Sequence, residues 1–193
     1  MCRARTPAKT RDGSSRLAAA LELFCDREHG SKHNQVPVQW RKQRSLWSVY
    51  AWSSFAYSVT GVVYLVLLHR YPSKALHAGE SLDAVVWIWQ GGISFMCDYV
   101  DLGVPSWSHP VDRISATAVI LWQTIKFFLF LSAWSWRMLL HFPPALAFGL
   151  WSFRMSCAAV SRRDAPAYFF WHTVWHFVLP VNGVIFYMMR FCT

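Results

Sequence analysis

Acid is scarce in this chain of 193 residues: ten Asp and Glu stand against 19 Lys and Arg, and all charged residues together make up only 15%. A soluble domain carries about 25% charged residues, so an ordinary water-facing surface is not available to this sequence. Cysteine is sparse and unpatterned. Cys2, Cys25, Cys97, Cys157 and Cys192 are odd in number and never form a CxxC, which excludes a disulfide framework and a zinc-ribbon site. The first apolar stretch, Leu17 to Cys25, is short and carries Glu22, which makes it a poor signal peptide. Residues 1–20 hold Arg and Ser with Asp12 as the one acid, so a transit peptide stays open. No internal repeat is visible, which excludes a solenoid.

What the chain has in excess is apolar and aromatic. Hydrophobic residues reach 54%, with 12 Trp and 14 Phe, and Trp is enriched where helices cross the membrane–water interface. Leu46 to Leu68 reads LWSVYAWSSFAYSVTGVVYLVLL, long enough for the roughly 20 helical residues that cross a hydrocarbon core. Further spans are expected at Ala84–Val100, Ile114–Trp134, Met138–Phe153 and Ala165–Met189. Gly91 and Gly92 in the second would let a neighbouring helix approach closely. The fold class is therefore all-α, an integral membrane helical bundle of about five transmembrane helices over residues 46–193, behind a basic, partly disordered segment at 1–45. Ten of the 19 basic residues precede Trp47. Next to an apolar run they set topology by the positive-inside rule, which places the N-terminus in the cytoplasm and the basic segment against lipid rather than nucleic acid.

Ionisable groups within spans are costly and mark function. Here they are Asp98, Asp112, Lys126, His141, His172 and His176. The sharpest feature is His172-Thr-Val-Trp-His176. On a helix, residues four apart share a face, so both imidazoles can reach one ion. The spacing equally suits two interfacial histidines hydrogen-bonded to their neighbours. Residue 173 is Thr and not Glu, so this is not the HExxH of a metalloprotease, and a di-iron enzyme would need further histidine pairs. Counting crossings puts Asp98, Asp112, His172 and His176 at one membrane side, with Ser94 one turn from Asp98; both aspartates could instead simply end or cap helices. Lys126 either snorkels to the interface or pairs with a carboxylate. His109, in a turn, is a further ligand candidate.

The order WSSFAYSVTG, GGISFMCD, Asp112 and WHTVWHFV resembles the CREST superfamily of membrane hydrolases and receptors, and His172, Trp175 and His176 match the final-span element of its alkaline ceramidases. That resemblance implies a shortened version of a seven-helix fold with a zinc ion. His172 and His176 would be ligands, and Asp98 would stand where the family has a third histidine. Asp112 would orient the attacking water or act as acid and base, and Ser94 would stabilise the oxyanion. The implied activity is hydrolysis of a lipid amide or ester, with a ceramide-like membrane lipid as substrate. The alternative is a receptor-like or structural member that keeps the fold without turnover. The family's acidic N-terminal calcium cluster has an echo in Cys25-Asp26-Arg27-Glu28 and Asn34.

Overall fold

The computed structural model describes residues 36–77 and 79–192. The expectations for a transit peptide and for the Cys25–Asn34 cluster fall outside them. Regular structure among the described residues is entirely helical. The helices are α1 (Val49–Ser53), α2 (Phe55–Arg70), α3 (Glu80–Phe95), α4 (Ser108–Leu129), α5 (Trp136–Ser161) and α6 (Ala165–Phe191). α1 and α2 run on from one another through Ser54 and together form Val49–Arg70. That segment and Ala165–Phe191 are the two described helices long and apolar enough to cross a membrane. Residues 36–45 carry a 3₁₀ turn, Val38–Gln43, whose Trp40 is buried against Tyr50, Tyr168 and Leu102.

The expected boundaries move where polar residues hide helix. α3 begins at Glu80, four residues ahead of the expected start, because Glu80 and Asp83 turn inward. α4 begins at Ser108, before Ile114, and Pro110 falls in its first turn, where a missing N–H costs nothing. Asp112 therefore lies inside a helix rather than just before one. α5 extends to Ser161, so the basic stretch from Arg154 is helical, and only Arg162 to Asp164 connect it to α6. At that turn Asp164 caps α6, its carboxylate accepting from the Ala167 N–H at 3.1 Å.

Burial is arranged with polar groups inside and apolar groups outside. On α2, Tyr57, Thr60, Gly61, Tyr64, Leu67 and Leu68 are buried, while Val59, Val62 and Val66 are exposed on the opposite stripe. On α4, Leu121, Ile125 and Phe128 face out, while Lys126 is only 4% exposed. α2 and α3 pack closely because Gly61 and Gly91 lack side chains. A Cβ at Gly61 would lie 2.5 Å from the Ala84 carbonyl oxygen, and one at Gly91 would collide with the Ser58 hydroxyl. Gly92 faces open space instead, so only the first of the two adjacent glycines serves the contact.

α3 and α6 run antiparallel, and ionic groups join them at the end where α3 starts. Arg190 grips Glu80 with both nitrogens, Nη1 to Oε1 at 2.7 Å and Nη2 to Oε2 at 2.9 Å. Lys126 donates to Asp83 at 2.8 Å, which selects carboxylate pairing over snorkelling. Lys74 Nζ reaches the Phe191 carbonyl at 3.1 Å, and the Leu76 N–H donates to Glu80 at 3.0 Å. Two acids and two bases thus balance in a buried cluster. Removing one partner of such a pair costs about 3–5 kcal/mol, because the other is left as an uncompensated buried charge. Arg190→Ala is therefore expected to lower the melting temperature in detergent strongly. The double variant Arg190→Ala/Glu80→Gln, which removes both charges, should recover much of that loss.

Candidate metal centre

At the opposite end of α3 the helix widens. Residues Met96–Val100 form one π turn, a form that occurs mostly as single turns and frequently at functional sites. It turns two neighbouring side chains to different partners. The Cys97 thiol lies 2.9 Å from His109 Nδ1, and the other nitrogen of that ring sits 2.9 Å from the Val104 carbonyl and 3.2 Å from that of Asp101. His109 thus fastens the α3–α4 loop and does not join the ligand candidates. Asp98 turns the other way, toward α6.

There Asp98 meets the histidine pair. Its Oδ1 lies 3.1 Å from His172 Nε2 and its Oδ2 lies 3.2 Å from His176 Nε2. Asp98 is 6% exposed and His176 2%. The ligand atoms of the three residues all fall within 4.8 Å of one another. Tyr50 donates its hydroxyl to the Asp98 backbone carbonyl at 3.0 Å, and the rings of Tyr50, Tyr57 and Tyr168 wall in the two imidazoles.

Hydroxyl groups stand behind both rings. Ser53 Oγ lies 2.8 Å from the Tyr50 carbonyl and 2.9 Å from His176 Nδ1, and Ser54 Oγ stands 3.4 Å from the same nitrogen. His172 Nδ1 is similarly held, 3.1 Å from the Ser156 hydroxyl. In front, neither His172 Nε2 nor Asp98 Oδ2 has a partner at hydrogen-bonding geometry, despite the short separations. Asp98 thus lies between the two imidazoles, one carboxylate oxygen toward each ring. Nitrogen and oxygen ligands about 2.0–2.1 Å from a tetrahedral zinc ion lie roughly 3.3 Å apart; each histidine meets a different Asp98 oxygen at 3.1 and 3.2 Å, and the three ligand atoms, within 4.8 Å of one another, would draw together on an ion. This buried Asp/His/His group could hold a metal ion, and serines that orient the back of ligating imidazoles are what such sites use.

Ser94 and Asp112 lie beside this group in a network of their own. Ser94 donates to Asp112 Oδ1 at 2.5 Å, and Gln90 Nε2 donates to the same oxygen at 2.7 Å and to Ser94 Oγ at 3.1 Å. Ser115 closes the network by donating to Gln90 Oε1 at 2.6 Å. Asp112 feels the charges of Asp98 and His172, but its hydrogen bonds go to Gln90 and Ser94. The Ser94 proton is committed to Asp112, so a role on an oxyanion requires that bond to break first. Sequence reasoning missed Gln90, Ser53 and Ser156. An amide or hydroxyl in an apolar helix is commonly spent on its own backbone, as in Thr60 to the Ala56 carbonyl. The signal that could have found Gln90 is its position one turn before Ser94.

In the loop, burial would raise the Asp101 carboxyl, but hydroxyl donors at Ser106 and Ser108, 2.6 and 2.7 Å away, outweigh it and hold the acid below its ordinary value. A lowered folded value means that this bracing is complete above the ordinary carboxylate range and is lost as pH falls through the lowered value. An acid-side loss of melting temperature that is absent in Asp101→Asn is the expected result.

Purified protein is expected to carry near one divalent transition metal per chain by plasma mass spectrometry. His172→Ala/His176→Ala should lose it and Asp98→Ala should hold it weakly. Ser53→Ala and Ser156→Ala should weaken affinity by about 10–100-fold, the usual effect of removing a ligand's supporting hydrogen bond. A folded, metal-free protein would show instead that Asp98 is held by a protonated histidine.

Compared with known proteins, the chain matches no family model, no curated protein and no solved structure.

Proposed function

We propose that this chain is a multi-pass membrane hydrolase of ceramidase type, cleaving an amide or ester bond of a membrane lipid at a zinc site formed by Asp98, His172 and His176. The observation that carries the reading is the buried Asp98 carboxylate beside the His172–His176 pair, their ligand atoms within 4.8 Å of one another and walled by tyrosines. The membrane setting is supported by the two long apolar helices and by the exposed Val, Leu, Ile and Phe stripes on α2 and α4. A soluble protein rarely exposes so much contiguous apolar surface. The five long helices are read as spans, with the N-terminus cytoplasmic from the charge bias of residues 1–45.

When bound, zinc would supply Lewis acidity, polarising the scissile carbonyl and easing deprotonation of water at neutral pH. The rest falls to side chains. Asp98 offsets part of the ion's charge, where the family resemblance implies a neutral histidine. Asp112, with Oδ1 fixed by Ser94 and Gln90, keeps Oδ2 for proton transfer. It takes a proton from the attacking water and passes it to the leaving nitrogen or oxygen as the carbonyl–heteroatom bond breaks. Burial within the bundle keeps bulk water from the reacting carbonyl.

The test is hydrolysis of a panel of lipid amides and esters, ceramide first, by protein in lipid nanodiscs. His172→Ala should abolish turnover. Asp112→Asn should keep the metal and lose about 10²–10⁴-fold in kcat, the usual worth of a positioned acid–base group. Metal retained with no turnover on any amide or ester would leave a metal-holding receptor-like or structural protein.

A further inference from the structure

A cavity of about 70 Å³ lies between α4, α5 and α6, and none of the triad or of the Gln90–Ser94–Asp112 network lines it. It exists because of how consecutive helices pair. α4 packs on α3 and α5 packs on α6, while α4 and α5 barely meet along their length. Near their connection the gap is closed by aromatics: Phe127 stacks on Phe142 with centroids 4.3 Å apart, and Phe186 lies edge-on to Phe142. Farther along, Val119, Ala145 and Leu179 line the opening. On α6 the lining begins at Leu179, three residues or about 4.5 Å along the helix from His176.

The lining is apolar except at a few points. Trp87, only 5% exposed, and His141 both line the cavity; neither Trp87 Nε1 nor His141 Nε2 makes a well-aligned hydrogen bond, although the Tyr187 hydroxyl stands beside the indole nitrogen. A buried nitrogen without a well-aligned bond is costly unless something bound there completes it. Indole nitrogen can only donate, whereas a neutral imidazole nitrogen can accept. A hydroxyl meets both demands, accepting from one and donating to the other. Charge does not favour an ionic group. Lys126 also borders the cavity, but it is paired with Asp83, and Arg190 with Glu80, so no net charge is left over. At about 10–15 Å³ per water, the space takes about five to seven waters, too few for a fused-ring lipid.

We propose that this cleft binds a neutral single-chain lipid by its hydroxyl, held between Trp87 Nε1 and His141 Nε2, with the hydrocarbon chain leaving between α4 and α5. The site is separate from the metal centre and does not depend on whether that centre is catalytic.

The test uses the full chain in nanodiscs and a photoreactive long-chain alcohol, with hexadecanol, palmitate, hexadecylamine and cholesterol as competitors. Labelling should fall in peptides of α4, α5 and α6, and hexadecanol should compete where the other three do not. Trp87→Phe, which keeps the ring stack on Tyr57 but removes the donor, should weaken competition about three- to tenfold, the worth of one neutral hydrogen bond. Ala145→Phe should abolish labelling by filling the cleft. Metal content should stay unchanged in both variants. Equal competition by all four lipids, labelling unaffected in Trp87→Phe, or labelling no higher than background because water alone fills the space would each overturn the proposal.

Discussion

The Asp98 carboxylate sits 3.1 and 3.2 Å from two imidazole nitrogens in a place shielded from solvent. A buried anion is stable only when something positive or a proton donor faces it. Here the two imidazoles face it, one toward each carboxylate oxygen, with Ser53 and Ser156 behind the rings. The α1–α2 junction, the π turn after α3, the start of α6 and Ser156 of α5 all contribute to this one arrangement. Four parts of the chain must come together before the carboxylate can be accommodated, and each is constrained by it.

The other end of the bundle solves the same electrostatic problem differently. Glu80 and Asp83 meet Arg190 and Lys126, and opposite charges cancel in place. That end is complete within the chain. The two ends of α3 thus differ: paired acids and bases at one, and at the other a carboxylate between two imidazoles that could hold a metal ion. Tyr64, stacked on Tyr187 at 3.8 Å, belongs to the ionic end, its hydroxyl 3.4 Å from Lys126 and 3.5 Å from Arg190.

Much of this was legible in the chain. The i and i+4 histidines faced one way, as helical spacing requires, and counting crossings brought Asp98 to the same end as His172. The helix boundaries were less legible, since hydropathy reads polar residues as loop. Glu80, Asp83 and Asp112 are polar residues whose partners lie on other helices. The π turn left no trace in composition at all, because Met96 to Val100 reads like any other helix end. Ser53, behind the His176 ring, stands more than 120 residues away in the chain, and no local pattern records that. Whether α4 and α5 touch is equally invisible, because it depends on which neighbours they prefer.

A π turn takes one more residue per hydrogen-bonded ring than an α-helix, and this one closes α3, directly before the loop at Asp101. At Met96–Val100 that extra residue points Cys97 and Asp98 at partners an unbroken α-helix would not give them. In genetic terms, the gain or loss of a single codon in this stretch would be enough to make or unmake the carboxylate's place in the site, while the helices around it kept their packing.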